Sequence, residues 1–232
     1  MSYLTKFLPP SYNEDAPIAN PVRKDGKEVG IILDNGHGLR QYTAGKHSPD
    51  KTLFEGEWVR EVVARLAPEL RAIGFDARIL VPEDADTPLR ERCARANAIA
   101  KANPKKKWYF ISVHINAAGG DGKWHDATGH SVWVANACST ESKQLARSIY
   151  GAAEKLNLKG NRSVPAEKYW TANFAVLTGT NMPAVLTENL FQDNKEEVAY
   201  LLSEKGKNAV ISLHVAGICQ YFGVPYSLCL AK

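Results

Sequence analysis

Two histidines and two glutamates in this chain have the types and placement needed to activate a water molecule on a divalent metal. His37 sits between Gly36 and Gly38, directly after the apolar run Ile31-Ile32-Leu33. Glycine on both sides permits a sharp turn and keeps bulk away from the imidazole. His114 ends a second apolar run, Tyr109-Phe110-Ile111-Ser112-Val113. Glu55 opens an amphipathic segment, and Glu188 follows Ala184-Val185-Leu186-Thr187. Two imidazoles and one carboxylate are a catalytic zinc donor set that leaves one coordination position for water. A second carboxylate, free of the metal, is what a hydrolase needs to take that water's proton. Glu188 suits that part.

Taken singly, each residue has a plainer account. Glu55 suits the first turn of a helix, where an acid offsets the dipole, and Glu57 competes with it for the metal. His114 alone reads as a hydrogen-bonded strand end, and Glu188 as a salt-bridged acid at the rim. Their coincidence at strand ends outweighs these accounts, because parallel strands bring their carboxyl ends to one edge. No H-E-x-x-H occurs, which excludes the thermolysin-type zinc helix. His47 and His125 fall in glycine-bearing loops and His130 begins a strand, positions for pocket lining or for structure. His214 lies at helical spacing with Ile211, Val215 and Ile218 and has no catalytic reading. Trp124, Trp133, Tyr169 and Trp170 offer faces for sugar or peptide, though partly exposed core aromatics are commoner.

The elements that must position these groups alternate. Strands are expected from Val29 to the His37 turn, over Phe75–Val81, Trp108–Ile115 and Gly129–Val134, and as short runs at Phe174–Leu177 and Ala184–Thr187. Helices are expected from Phe54 or Glu55 to Ile73, kinked at Pro68 and stopped by Gly74. Others are expected over Pro88–Ala102, Ser139–Leu156 and Asn194–Tyr221. Residues 39–54 read as a loop able to fold over a site, and 157–172 as irregular. Alternation of this kind predicts a three-layer αβα domain, with a mostly parallel twisted sheet of about six strands and helices on both faces.

The 232 residues are 44% hydrophobic, enough for one full-sized core, and 23% charged. A net charge of +4 is too small to point to nucleic acid, whose binders concentrate far more charge on one face. The four cysteines, Cys93, Cys138, Cys219 and Cys229, form no C-x-x-C pair, against a zinc knuckle or a thioredoxin-like motif. Cys93 suits a small core filler. Residues 1–28, with Pro9, Pro10, Pro17 and Pro21, read as an extended arm ahead of a domain at 29–223, with a tail at 224–232. The amino terminus lacks the apolar core of a signal peptide, and no run approaches a membrane span. The expectation is a soluble monomer without its own export signal.

Asp34-Asn35-Gly36-His37-Gly38, the helix-opening Glu55, Ser112-Val113-His114-Ile115-Asn116 and Pro183-Ala184-Val185-Leu186-Thr187-Glu188-Asn189 resemble, in order and spacing, the zinc-dependent N-acetylmuramoyl-L-alanine amidases. They resemble the family-3 catalytic domain of autolysins and phage endolysins in particular. The resemblance covers residues 29–223. It implies that His37, Glu55 and His114 bind Zn2+, with Glu188 as the acid/base. It favours Glu55 over Glu57, because with Gly74 ending the helix Glu55 aligns without a gap. It also implies cleavage of the amide between N-acetylmuramic acid and L-alanine, with peptidoglycan as the partner in a cell wall or periplasm. Asp34 or Asn116 would orient the rings, and His47 would stand near substrate. The family usually has proline where Asn35 stands and often glycine where Leu39 stands, which alters the turn and no ligand. Other expectations are a zinc carboxypeptidase or deacylase on a related fold, or a non-catalytic wall-binding module.

Overall fold

The computed structural model describes residues 2–226; Cys229 and most of the expected tail lie outside them. A 3-10 turn at Leu4–Lys6 precedes a hairpin of β1 (Arg23–Lys24) and β2 (Lys27–Asn35). Helix α1 (Glu55–Ile73), strand β3 (Asp76–Ile79) and helix α2 (Leu89–Ala102) follow. The chain continues through β4 (Lys106–Asn116), β5 (Ser131–Val134), α3 (Thr140–Lys155), β6 (Trp170–Thr171) and α4 (Ala175–Thr178). It closes with β7 (Ala184–Phe191), α5 (Lys195–Leu202) and α6 (Glu204–Phe222). The strands form one seven-stranded sheet in the order β1-β2-β4-β7-β5-β6, with β3 also paired to β2. The β2–β3, β2–β4, β4–β7 and β5–β6 pairs are parallel, whereas β1–β2 and β5–β7 are antiparallel. The expected mostly parallel, helix-covered sheet is present.

Alternation within the strands sorts residues to two faces. Ile31, Leu33, Ile111, Val113 and Val185 join the larger core with α1, α3 and α6. Ile32, Phe110, Ala184 and Leu186 join the smaller one under α2 and α4. In α1, Val59, Val62, Val63, Leu66 and Leu70 are buried at helical spacing. Burial is worth about 1.5–3 kcal/mol for each such side chain. The helix continues past Pro68 and ends at Gly74, whose φ of 120° suits glycine. Cys93 is buried in the smaller core, as expected of a filler.

Besides the two-residue strands β1 and β6, which fall in stretches expected to be an arm and irregular, three elements differ from the sequence expectation. Phe174–Leu177 is not a strand; α4 occupies Ala175–Thr178, because periodicity cannot type so short an apolar run. The closing helix is two helices, broken at Ser203, whose ψ is 152° and whose Oγ caps Gly206 N–H at 3.0 Å. Strand β7 runs on to Phe191, so Glu188 lies inside a strand and not after it. The N-terminal segment is not the extended arm expected: it is a run of turns, with the Tyr12 N–H donating to the Pro9 carbonyl and the Ala16 N–H to the Asn13 carbonyl, and it lies against the domain. Leu4 is 1% exposed within the larger core, and Glu14 Oε1 accepts the Ile79 N–H at 2.8 Å.

Candidate metal centre and active site

The turn after β2 carries His37 at φ 59°, a left-handed conformation uncommon outside glycine. Two buried arginines hold it there. Arg60 Nη1 donates to the His37 carbonyl at 2.9 Å and to the Gly56 carbonyl at 2.9 Å. Arg92 Nη2 donates to the same His37 carbonyl at 3.2 Å, and Arg92 Nη1 reaches Asp34 Oδ1 at 2.6 Å. Burial, with the Arg92 charge beside it, pushes Arg60 down to about 10. The helix carrying Glu55 is held close as well: a Cβ on Gly56 would lie 1.7 Å from the Gly38 carbonyl oxygen. Neither arginine stood out in the sequence, where each reads as one more helix-surface cation.

His37, Glu55 and His114 meet at the carboxyl edge of the sheet. One donor atom from each lies within 4.8 Å of the others. Glu55 Oε1 is 3.1 Å from His114 Nδ1 and 3.4 Å from His37 Nε2, and it accepts the Ile115 N–H at 3.0 Å. The two rings stand 5.1 Å apart and nearly perpendicular, at 86°. Glu55 Oε2 is buried with no hydrogen-bond partner, a cost that a cation would remove. The donor set therefore fits a divalent metal. Gly36 makes room for the His114 ring: a Cβ there would lie 2.2 Å from His114 Cε1. Glu57 points elsewhere and pairs with Arg40 at 2.5 and 2.6 Å.

The charges of the cluster are interdependent. Burial would raise the Glu55 pKa, but its bond to His114 and the two imidazoles outweigh burial and lower it. Burial works against charge on His114, and the Glu55 carboxylate reverses this and raises its pKa. His37 is pushed down to about 4, chiefly by burial, so its ring is a neutral donor at pH 7.

His114 is steadied from two sides. Its Nε2 lies 3.0 Å from Ser112 Oγ, which donates to Asp34 Oδ2 at 2.6 Å. Asp34 thus acts on the ring through Ser112 and is itself held by Arg92. Asn189 Nδ2 donates to the His114 carbonyl at 2.8 Å. Asn116 does not orient the rings; its Oδ1 accepts the neighbouring Ala117 N–H. His47 packs on Phe54 with ring centroids 5.7 Å apart and lines a groove of about 310 Å3 with Lys51, Lys123 and Gln192. Ser112 was legible in principle, since it alternates with His114 and pairs in register with Asp34.

Glu188 stands beside His114 in the β4–β7 register and opposite Ser131 across β5–β7. A register shift after His114 and a φ of 65° at Leu190 mark a bulge at this edge. Glu188 Oε2 is buried without a partner. Burial, with Glu55 adding to it, pushes Glu188 up to about 7 against the opposing charges of His114, Lys46 and Arg162. His37 and His114 open into a cavity of about 300 Å3 bordered by Asp86, Pro88 and Leu89. A larger cleft of about 640 Å3 lies at the other end of β7, beside Ala184 and Ser139, and holds none of these groups.

A three-layer α/β domain with an open two-histidine, one-glutamate donor set at the carboxyl edge has the architecture of the metal-hydrolase class. A family profile described as N-acetylmuramoyl-L-alanine amidase matches residues 31–220, and the chain belongs to that family. It is 31% identical over 195 residues to the endolysin of Bacillus phage SPP1, covering 82% of this chain and 65% of the endolysin. It is 30% identical over 196 residues to the N-acetylmuramoyl-L-alanine amidase CwlM of Bacillus licheniformis, covering 84% and 70%. The chain thus spans about two thirds of the length of these relatives. The N-acetylmuramoyl-L-alanine amidase of Clostridium difficile 630 shares the fold with a TM-score of 0.69 at 24% identity, covering 86% of this chain and 98% of that one. The amidase Ami1 of Mycobacterium smegmatis does so at 0.71 and 16%, covering 86% and 99%.

Proposed function

We propose that the chain is a zinc-dependent N-acetylmuramoyl-L-alanine amidase that hydrolyses the amide between the lactyl group of N-acetylmuramic acid and L-alanine of the stem peptide. The observation that carries this reading is the donor cluster of His37, Glu55 and His114 beside an unpartnered Glu188. His37, Glu55 and His114 would hold the metal. Zinc bound there supplies Lewis acidity, which polarises a carbonyl and brings the pKa of a water toward ~7. Glu188, whose pKa burial raises toward neutrality, accepts the proton of the attacking water. It then returns that proton to the departing alanine amine. Ser112 and Asp34 keep the His114 ring turned with Nδ1 toward Glu55. The groups that meet the wall lie in the grooves on either side of the cluster, one bordered by Pro88 and Leu89, the other by His47 and Lys123.

Glu188→Gln tests the assignment. Turnover on purified peptidoglycan should fall by about 10²–10⁴-fold, with the zinc-to-protein ratio of the wild type retained. The wild type should release new L-alanine amino termini from intact glycan. Cleavage elsewhere in the stem would point instead to a carboxypeptidase, and a wild-type rate in the Gln variant would remove Glu188 from the reaction.

A further inference from the structure

Arg162 enters the cluster only as one of the charges that hold the Glu188 pKa down, and its hydrogen-bonding capacity is not used there. It lies in the irregular segment before β6, half-buried, with its guanidinium carbon 5.2 Å from the Trp170 ring centroid and 5.4 Å from that of Phe191. Its hydrogen bond within the protein runs from Nη1 to Ser131 Oγ at 3.2 Å. That hydroxyl also accepts the Trp133 Nε1–H at 3.0 Å. Ser131 is the β5 residue directly opposite Glu188, so the guanidinium stands over the strand pair that carries the proposed acid/base. Among the described residues no carboxylate lies within ion-pairing distance of Arg162. Other half-buried arginines do have such partners: Arg65 has Glu61 and Arg78 has Asp76.

A guanidinium presents five N–H donors in a planar fork, and this one spends a single donor on the protein. Two aromatic rings hold the plane, so little rotamer freedom remains to be lost when a ligand arrives. A planar, pre-oriented fork with free donors matches a carboxylate in bidentate geometry. A carbonyl or hydroxyl would leave most of the donors unused.

We propose that Arg162 anchors a free carboxylate of the stem peptide, on the residue that follows L-alanine, and so selects acidic over amidated stems. The inference rests on the amidase reading, which puts the scissile bond at the cluster and the departing peptide beside Glu188. Specificity then comes from a cation on the β5 side of Glu188, outside the set of metal ligands. The adjoining faces of Trp133, Trp170 and Phe174 continue the surface along β5 and β6.

The test uses two soluble probes with the γ-carboxyl capped as it is within a stem: N-acetylmuramoyl-L-alanyl-D-glutamate γ-methylamide, whose α-carboxylate is free, and N-acetylmuramoyl-L-alanyl-D-isoglutamine γ-methylamide, which has no free carboxylate. In the wild type kcat/KM should favour the carboxylate probe by on the order of 10- to 100-fold, as a charge-assisted hydrogen-bond pair allows. Arg162→Gln should bring that ratio close to one, with the change in KM for the carboxylate probe. Arg162→Lys keeps the charge but loses the fork. It should retain a few-fold preference, and it provides the reading if the Gln variant folds poorly. An unchanged ratio in both variants overturns the proposal. So does an equal fall in kcat on both probes with a shifted acid limb of the pH–rate profile, which would mean that Arg162 acts through Glu188. Failure of the wild type to release alanine amino termini from either probe and from purified peptidoglycan is a different outcome, and it sinks the amidase reading itself.

Discussion

At the scale of single residues, the chain from Arg92 through Asp34 and Ser112 to His114 shows how a metal-binding ring is fixed by groups that never touch the metal. Removing the Ser112 hydroxyl leaves His114 Nε2 without its partner and Asp34 Oδ2 unpaired in a buried site. Groups that orient a ligand in this way are typically worth about 10–100-fold in metal affinity or activity. Ser112→Ala should weaken zinc retention by that factor in competition with a chelator, whereas Asn116→Ala, whose bond is local, should leave it at the wild-type level. The same titration separates the two acids of the first turn. Glu55→Gln should lose metal, and Glu57→Gln should lose only its surface pair with Arg40. Residue type and periodicity leave those acids in contest, because both precede the same helical stripe, and only the family resemblance favours Glu55. Packing decides it: Glu55 is 1% exposed and faces the sheet edge.

At the scale of elements, the two sheet faces carry different work. On one face the buried Arg92–Asp34 pair ties α2 to the end of β2, with side chains 2% and 1% exposed. Breaking such a pair leaves an uncompensated buried charge, at a cost of about 3–5 kcal/mol. Arg92→Met should therefore lower stability by that amount in urea denaturation, and lower zinc occupancy with it, because the His37 turn loses a clamp. On the other face His130 is buried against His214 and Tyr150, and neither ring nitrogen has a partner. Burial, with His214 beside it, pushes His130 down from the ordinary 6.5 to about 3. Between those values the unfolded chain takes up a proton that the folded ring refuses, so this contribution to stability is lost as pH falls from 6.5 toward 3. His130→Phe removes the penalty. Its gain over the wild type should be small at pH 7.5 and should reach up to about 2 kcal/mol at pH 5, read from denaturation curves at both pH values. The strand-helix alternation, the sheet and the edge on which the histidines meet were all legible from apolar periodicity. The bulged continuation of β7, the break at Ser203 and the helical α4 were not. The first depends on pairing with strands far along the chain, the third on a run too short to carry a period, and the second on a local Ser203 cap that apolar periodicity does not register.

For the whole molecule, the segment ahead of the hairpin shows where composition misleads. Four prolines among polar residues do keep regular helix and strand out of most of the segment, which runs as successive turns, but they do not specify where it goes. Here it closes the domain. Leu4 fills the larger core beside α1, and Tyr3 N–H donates to Asp84 Oδ1 at 2.7 Å. Arg71, in the last turn of α1, reaches the Ala16 carbonyl at 2.5 Å. The Asn20 carbonyl sits where a side chain on Gly74 would be, 2.3 Å from a Cβ built there. The segment also covers an edge: β3 pairs on one side with β2, and Glu14 takes the Ile79 N–H on the other. An uncovered edge strand invites pairing with another chain. Deleting residues 1–20 should consequently do two things at once. It should lower the midpoint of thermal unfolding, by uncovering Leu4's site in the core, and it should raise the tendency to self-associate, by freeing the edge of β3. Leu4→Ala in the full chain should cost a core-cavity amount of stability, about 2–5 kcal/mol, and lower the midpoint accordingly, without the association. A monodisperse truncated protein by light scattering, melting with the full chain, would mean that the segment is a passive leader after all.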